Sequence, residues 1–334
     1  MPINLRGKSL LSVGEWTTDE VNYVLQLSKQ LKDQKRTGSN QRILLGTAGT
    51  KSIVVIMQKD STRTRSAFET AAFDLGMNVS YIGPTGSQIG KKESIADTAR
   101  VLSRFYDGIA FRGSAHSDVV ELSENSLVPV WNGLTDKWHP TQMFADYLTI
   151  YEHFGRTNVK FAFFGDAKNN MGNSLMVMAA HMGAEFWAVA PKKYWPSREI
   201  VDIAKKIAKV TGASINMTED PKVGANNADV VYTDVWVSMG EPDEVWEERL
   251  RDLKPYQINS QIMGQTSKNS IFLHCLPAFH NTDTKVGAEI AAKYKVKEME
   301  VTDEVFESTK SKVFDEAENR AHTIKAIMLA TLGY

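Results

Sequence analysis

Ser52-Ile53-Val54-Val55-Ile56-Met57 leads through Gln58, Lys59 and Asp60 into Ser61-Thr62-Arg63-Thr64-Arg65. The first string is apolar at nearly every position, the pattern of a strand covered on both faces. Beyond the second, Ala67, Phe68, Ala71, Ala72 and Leu75 recur at helical spacing. A doubly covered strand running into a helix is the opening unit of a parallel α/β sheet. Outward from it, the same reading predicts strands at 79–82, 108–111 and 128–131, and helices at 16–35, 95–105 and 140–153. The pattern then restarts. Lys160-Phe161-Ala162-Phe163-Phe164 is a second buried strand. A helix is expected at 173–182, further strands at 186–190, 214–217, 230–233 and 271–274, and a long last helix at 315–332. The expected fold class is therefore α/β, with two doubly wound parallel-sheet domains and an active-site cleft between them. The domains are placed at 1–154 and 155–314, with the helix of 315–334 packing back on the first.

Composition is consistent with that plan. A chain of 334 residues, 42% hydrophobic and 24% charged, has material for two cores. A net charge of −1 with no basic block gives nucleic acid or an anionic membrane no electrostatic footing. No apolar run reaches the about 20 residues a spanning helix needs, and the first eleven residues lack the apolar stretch of a signal peptide. Cys275 is the only cysteine, so no intrachain disulfide can form, which suits a reducing compartment. The cytoplasm is expected, an organellar matrix being the other such place. The glycine-rich stretches 46–52 and 86–91 imitate a P-loop faintly. The first lacks the Gly-Lys pair and precedes a strand, and the second puts Lys92 where Ser or Thr belongs.

In open α/β sheets ligands gather beyond the carboxyl ends of the strands, and seven strings fall there or at helix starts. Ser61 to Arg65 opens a helix, where unpaired N–H groups and the dipole suit a phosphate, although part of it must serve as a cap. Arg112 ends a buried strand. His139 and Gln142 flank Pro140 at a helix start. Asp166, Asn169, Asn170 and Asn173 follow the first strand of the second domain without the Gly-x-Gly-x-x-Gly of a dinucleotide turn. They suit a zwitterion better than a pyrophosphate. Asp234, at another strand end, can hold an ammonium group. His274-Cys275-Leu276-Pro277 closes the next strand, where a cysteine is also simply a small buried hydrophobe. Glu318-Asn319-Arg320 lies on the last helix and reads equally as a solvated face.

Taken together and in order, Ser-Thr-Arg-Thr-Arg (61–65), His-Pro-Thr-Gln (139–142), His-Cys-Leu-Pro (274–277) and Glu-Asn-Arg (318–320) resemble the aspartate/ornithine carbamoyltransferase family over nearly the whole chain. The resemblance implies that Ser61, Thr62, Arg63 and Thr64 cradle the phosphate of carbamoyl phosphate. Arg112 and His139 would hold its carbonyl oxygen, Gln142 its amide, and Arg320 would close the phosphate side. Gln88 would reach a neighbouring subunit's site in a trimer or a multiple of trimers. Asp234-Val235-Trp236-Val237-Ser238-Met239-Gly240 looks like the loop of the ornithine branch. On that likeness, Asn170 contacts the α-carboxylate of L-ornithine, and Asp234, Ser238 and Met239 hold its amino-acid end. Cys275 lies near the δ-amine and is counted with Leu276 among the carbamoyl phosphate contacts, the Leu276 backbone meeting the carbamoyl nitrogen. Arg112, His139, Asp234 and Cys275 make the implied catalytic set. Lys168 departs from the arginine that many relatives carry there.

The reaction so implied is attack of a neutral amine on the carbamoyl carbon and departure of phosphate, which calls for neither a metal nor an organic cofactor. Putrescine or acetylornithine carbamoyl transfer is the alternative within the family. A nicotinamide-dependent dehydrogenase and a non-catalytic amino-acid-binding protein are the alternatives outside it. The first lacks its glycine fingerprint, and the second leaves the arginine, histidine and glutamine set without purpose.

Overall fold

The computed structural model describes residues 3–39, 43, 50–85, 88–90, 92–237 and 244–334. Ser238 and Met239 lie outside them, as do residues 46–49 of the first glycine-rich stretch and Gly86, Ser87 and Lys91 of the second. The chain divides into two compact units, Met1–Leu148 with Ala317–Tyr334, and Thr149–Glu316.

Unit 1 runs α1 (Thr18–Arg36), β1 (Ser52–Met57), α2 (Thr62–Leu75), β2 (Asn78–Ile82), α3 (Ile95–Phe105), β3 (Gly108–Arg112), α4 (His116–Glu124), β4 (Val130–Leu134) and the start of α5 (Pro140–Phe154). Its four strands, all parallel, lie in the order β2-β1-β3-β4. The strand order reverses between β1 and β3, so the carboxyl ends of those two strands form the switch point of the sheet. Ile53 to Met57 are buried on both faces. Strand β4 starts two residues later than its apolar run predicts. Pro129, which has no N–H to donate, gives only its carbonyl, to the Ile109 amide.

Unit 2 continues with β5 (Lys160–Phe164), α6 (Asn170–His181), β6 (Glu185–Val189), α7 (Arg198–Thr211), β7 (Ser214–Thr218) and α8 (Pro221–Ala225). Then come β8 (Val230–Thr233), α9 (Val245–Leu253), α10 (Ser260–Met263), β9 (Ile271–Leu273), α11 (Lys285–Tyr294), α12 (Asp303–Phe306) and α13 (Val313–Thr331). Its parallel sheet has the order β7-β6-β5-β8-β9, and β5 and β8 flank the reversal. Helix α6 is buried along its whole length from Met171 to His181, as a helix apolar on every side requires. It begins three residues before its apolar pattern because the Asn169 side chain caps it, accepting the Gly172 amide at 2.8 Å.

The division of the chain falls inside two helices, α5 and α13. The first crossing is six residues before the 154/155 boundary that Gly155 suggests, since Gly155 marks the end of α5, not the end of the unit. The last residues of α13 are secured in unit 1 at three depths. Buried Lys32 of α1 donates to Asn319 Oδ1 at 2.6 Å, Lys325 donates to Asp74 of α2 at 2.8 Å, and Trp131 Nε1 donates to Thr331 at 2.9 Å. No described helix is long and apolar enough to cross a membrane.

Candidate active site

In unit 1 the switch point carries a cluster of cations around one hydroxyl. Ser61 is the N-cap of α2, and its Oγ accepts the Thr64 amide at 3.3 Å. The helix therefore starts at Thr62, and Ser66 to Glu69, which has the spacing of a capping box, lies inside it. The cap turns Thr64 inward, where its buried Oγ1 accepts from Arg112 Nη1 at 3.4 Å and from Arg320 Nη2 at 3.5 Å. Arg320 also donates to Gln142 Oε1 at 2.6 Å and to Thr141 at 3.3 Å, and Gln142 passes its own amide hydrogen to Asp146 at 2.8 Å. A bulge aims Arg112. Between Phe111 and Arg112 the pairing with β4 slips, so that Arg112 opposes Leu134 and Gly133 is the extra residue. A Cβ on Gly133 would stand 3.2 Å from the Thr64 methyl and 3.3 Å from the Phe111 carbonyl oxygen, so a side chain there crowds the residue on which the arginines meet.

His139 completes the group. It is buried just ahead of α5, and burial first, then the charges of Arg320, Arg112 and Arg63, hold its pKa well below the ordinary 6.5. Near neutral pH it is thus an uncharged imidazole able to donate one hydrogen bond beside fixed positive charge. Arg63 borders a hollow with Lys35, Arg36 and Glu318. Arg65 of the same string, and Gln88, which is expected to serve a neighbouring chain, stand apart from this group. Arg65 lies outside on α2, paired with Glu69 at 2.8 Å and 3.9 Å above the Tyr81 ring. Gln88 is exposed, with its carbonyl taking the amides of Lys92 and Glu93.

In unit 2 the switch point carries a carboxylate. Buried Asp234, just past β8, accepts the Val235 amide at 2.8 Å, the Cys275 thiol at 3.3 Å and the Asn169 side-chain amide at 3.3 Å. Burial raises its pKa above the usual 3.8, and the neighbouring His274 and the thiol hydrogen bond partly oppose that. Asn170 begins α6 beside Asn169, while Lys168 is exposed. Cys275 and Leu276 follow β9 on a fully buried polar frame. The His274 amide donates to Glu316 at 3.0 Å, and Glu316 also accepts the Tyr232 hydroxyl at 2.8 Å. His274 Nδ1 accepts the Leu276 amide at 2.9 Å, and its Nε2 lies 3.4 Å from Glu300. Leu276 has φ 58°, a left-handed conformation that costs a branched residue energy and that the bond to His274 holds in place. Among the described residues, Asp234, His274 and Cys275 each bring a potential ligand atom within 4.8 Å of the others, a donor set that could accept a metal ion.

Sequence position alone brings out Arg112, His139, Gln142, Arg320, Asp234 and Cys275. It passes over Thr141 as a ligating group, since that residue ends no strand, and it picks out Asn169 for a zwitterion without foreseeing its contact with Asp234. It has no access to Glu300, Glu316 or the pairing of Asp166 with Arg249 at 2.5 Å, whose partners lie 83 residues apart.

Comparison with known proteins also gives two parts, with the second taking in most of the returning helix. Residues 8–152 match the family described as aspartate/ornithine carbamoyltransferase, carbamoyl-P binding domain, and residues 157–331 match its Asp/Orn binding domain. The chain is 56% identical, over 330 residues, to a protein of Treponema denticola named ornithine carbamoyltransferase, catabolic, covering 98% of this chain and 96% of that one. Its fold is similar to the ornithine carbamoyltransferase of Pyrococcus furiosus, with a TM-score of 0.89, 37% identity and 99% of each chain covered. It is also similar to the anabolic ornithine carbamoyltransferase of Campylobacter jejuni, with a TM-score of 0.84, 33% identity, and 96% and 98% covered.

Proposed function

The chain belongs to the aspartate/ornithine carbamoyltransferase family, and from that premise we propose that it transfers the carbamoyl group of carbamoyl phosphate to the side-chain amine of L-ornithine, giving L-citrulline and phosphate. Relatives carry both catabolic and anabolic names, and the chemistry is the same in either direction.

The observation that carries the reading is the meeting of Arg112 and Arg320 on Thr64 beside a neutral His139. A dianion that must leave as phosphate needs fixed positive charge. A carbonyl oxygen that gains charge needs donors already in place. We assign Ser61, Thr62, Arg63, Thr64 and Arg320 to the phosphate, Arg112 and His139 to the carbonyl oxygen, and Gln142 with the Leu276 backbone to the carbamoyl nitrogen. For ornithine we assign Asn170, Asp234, Ser238 and Met239, with Cys275 near the δ-amine. The thiol need not be a nucleophile, because the amine attacks directly. The tetrahedral intermediate collapses with loss of phosphate, and the proton leaving the amine nitrogen passes toward solvent or phosphate. Binding two substrates in one geometry supplies proximity. The test is a citrulline assay with carbamoyl phosphate and, in turn, ornithine, putrescine and acetylornithine. Ornithine is expected to be preferred strongly. Preference for either of the others moves the chain to that branch, and no product with any of them removes the reading.

Assembly and compartment are part of the proposal. A ring of three chains, alone or in multiples, would let exposed Gln88 serve its neighbour's site, and a lone thiol suits the cytoplasm or an organellar matrix. Gln88→Ala and Arg320→Ala homotrimers should each be nearly inactive. Refolded together, they should regain activity, because a mixed ring contains a site where normal Arg320 meets a neighbour's normal Gln88. Confirmed mixed trimers without recovery would mean that Gln88 serves its own chain or no site.

A further inference from the structure

The turn that follows β5 is fixed from a direction that the reaction does not explain. Gly165 has φ +108°, a conformation open to glycine and costly for other residues, and it lets the chain leave the sheet sharply. Asp166 then uses both oxygens. Oδ1 accepts the Lys168 amide at 3.1 Å and shapes the turn, and Oδ2 meets Arg249 Nη1 of α9 at 2.5 Å. The two side chains are only 11% and 15% exposed. Arg249 is itself oriented, with its guanidinium 4.7 Å from the centre of the Tyr194 ring, and Tyr194 donates its hydroxyl to Asp252 of the same helix at 3.0 Å.

The far end of the turn is equally constrained. A Cβ on Gly172 would stand 2.2 Å from the Ala167 carbonyl oxygen, so the turn lies directly against the first coil of α6. From there Asn169 reaches Asp234 at 3.3 Å, and Asp234 also takes the Cys275 thiol. An unbroken series of contacts therefore runs from α9 through Arg249, Asp166 and Asn169 to Asp234. Nothing in it belongs to the phosphate-binding group of unit 1.

We infer that Arg249 and Asp166 are positioning residues for the amine substrate: their ion pair sets the spacing between Asn169, Asn170 and Asp234, and so determines affinity for the amino-acid end of ornithine. The inference rests on the functional reading above. Breaking one side of a buried ion pair leaves the other charge uncompensated, so the turn must shift to rehydrate it. Arg249→Gln should raise the KM for ornithine on the order of 10²-fold and leave kcat at saturating ornithine within about threefold, since the pair touches no reacting atom. Carbamoyl phosphate affinity, measured by calorimetry, should be unchanged. Arg249→Lys, which keeps the charge but loses the flat fork over Tyr194, should lie between. Asp166→Asn should match Arg249→Gln, and the double variant should be no worse than either single one, as two halves of one contact require.

A wild-type chain that makes no citrulline overturns the functional reading, and this inference with it. A wild type that makes citrulline beside an Arg249→Gln variant of normal KM overturns the inference alone. Parallel losses in kcat, carbamoyl phosphate affinity and melting temperature overturn it too, by showing a merely structural role. If Arg249→Gln fails to fold, Asp166→Asn, which keeps the side-chain shape, carries the same expectation and the same refutation.

Discussion

Replacing His139 by alanine should lower turnover by about 10²–10³-fold, the usual cost of one preorganised donor to a developing oxyanion, with carbamoyl phosphate affinity changed much less. The difference between the two effects follows from charge. On the proposed assignment, Arg112, Arg320 and Arg63, whose charges all act on His139, would attract the phosphate whether or not the imidazole is present. The imidazole adds a directed hydrogen bond whose value grows as the carbonyl oxygen becomes negative. The depressed pKa has a sign that can be checked. The folded state binds fewer protons at His139 than the unfolded chain does, so this contribution to stability is complete above pH about 6.5 and declines as pH falls below it. With the pKa of His139 lowered, the rise in activity expected from pH 6 to 8 at low ornithine is assigned to the substrate amine, whose pKa near 10.4 leaves little of it neutral. Near-normal turnover in His139→Ala, or a flat profile with chemistry rate-limiting, would remove His139 or the neutral-amine step from the scheme.

Asp234→Asn should lower kcat/KM for ornithine by about 10²–10³-fold, as loss of one buried charged partner does at other recognition sites. The substitution keeps the planar shape and leaves an oxygen to accept from Asn169 or the Val235 amide. What disappears is the charge that would face an ammonium group. Calorimetry with carbamoyl phosphate should give nearly the wild-type result, since that ligand's proposed partners other than Cys275 and Leu276 are all in unit 1. An unchanged ornithine affinity would mean that Asp234 only supports the Cys275 thiol.

The strands are legible in the sequence where a short apolar run is bounded by polar residues, and 52–57, 160–164 and 230–233 agree with the structure to the residue. Less of the helical layer is legible from a reading built on strands. The short helices α4 and α11 have few buried residues to mark them. Helix α7 carries a plain stripe in Ile200, Val201 and Ala204 that such a reading passes over. In the candidate site, residues at strand ends and helix starts are legible because the fold class alone says where those ends point. Groups that act through a tertiary partner are not. Nothing local to Arg249 marks it apart from Arg251 of the same helix, and nothing local to Gly133 shows that it is the extra residue of a bulge. Arg65 is the converse case. Its string suggests a phosphate ligand, yet the helix starts at Thr62 and carries Arg65 round to Glu69.

The return of α13 to unit 1 has a consequence during synthesis. Unit 2 is one continuous stretch, Thr149–Glu316, whereas unit 1 is begun first and completed last. Its nascent first part leaves the ribosome with Lys32 and Asp74 already in the chain, but their partners Asn319 and Lys325 are added only after the whole of unit 2. Arg320 arrives with them. The growing polypeptide therefore lacks Arg320 beside Thr64 until unit 2 has been made, so the second unit can close on its own residues while the first still waits for its returning helix.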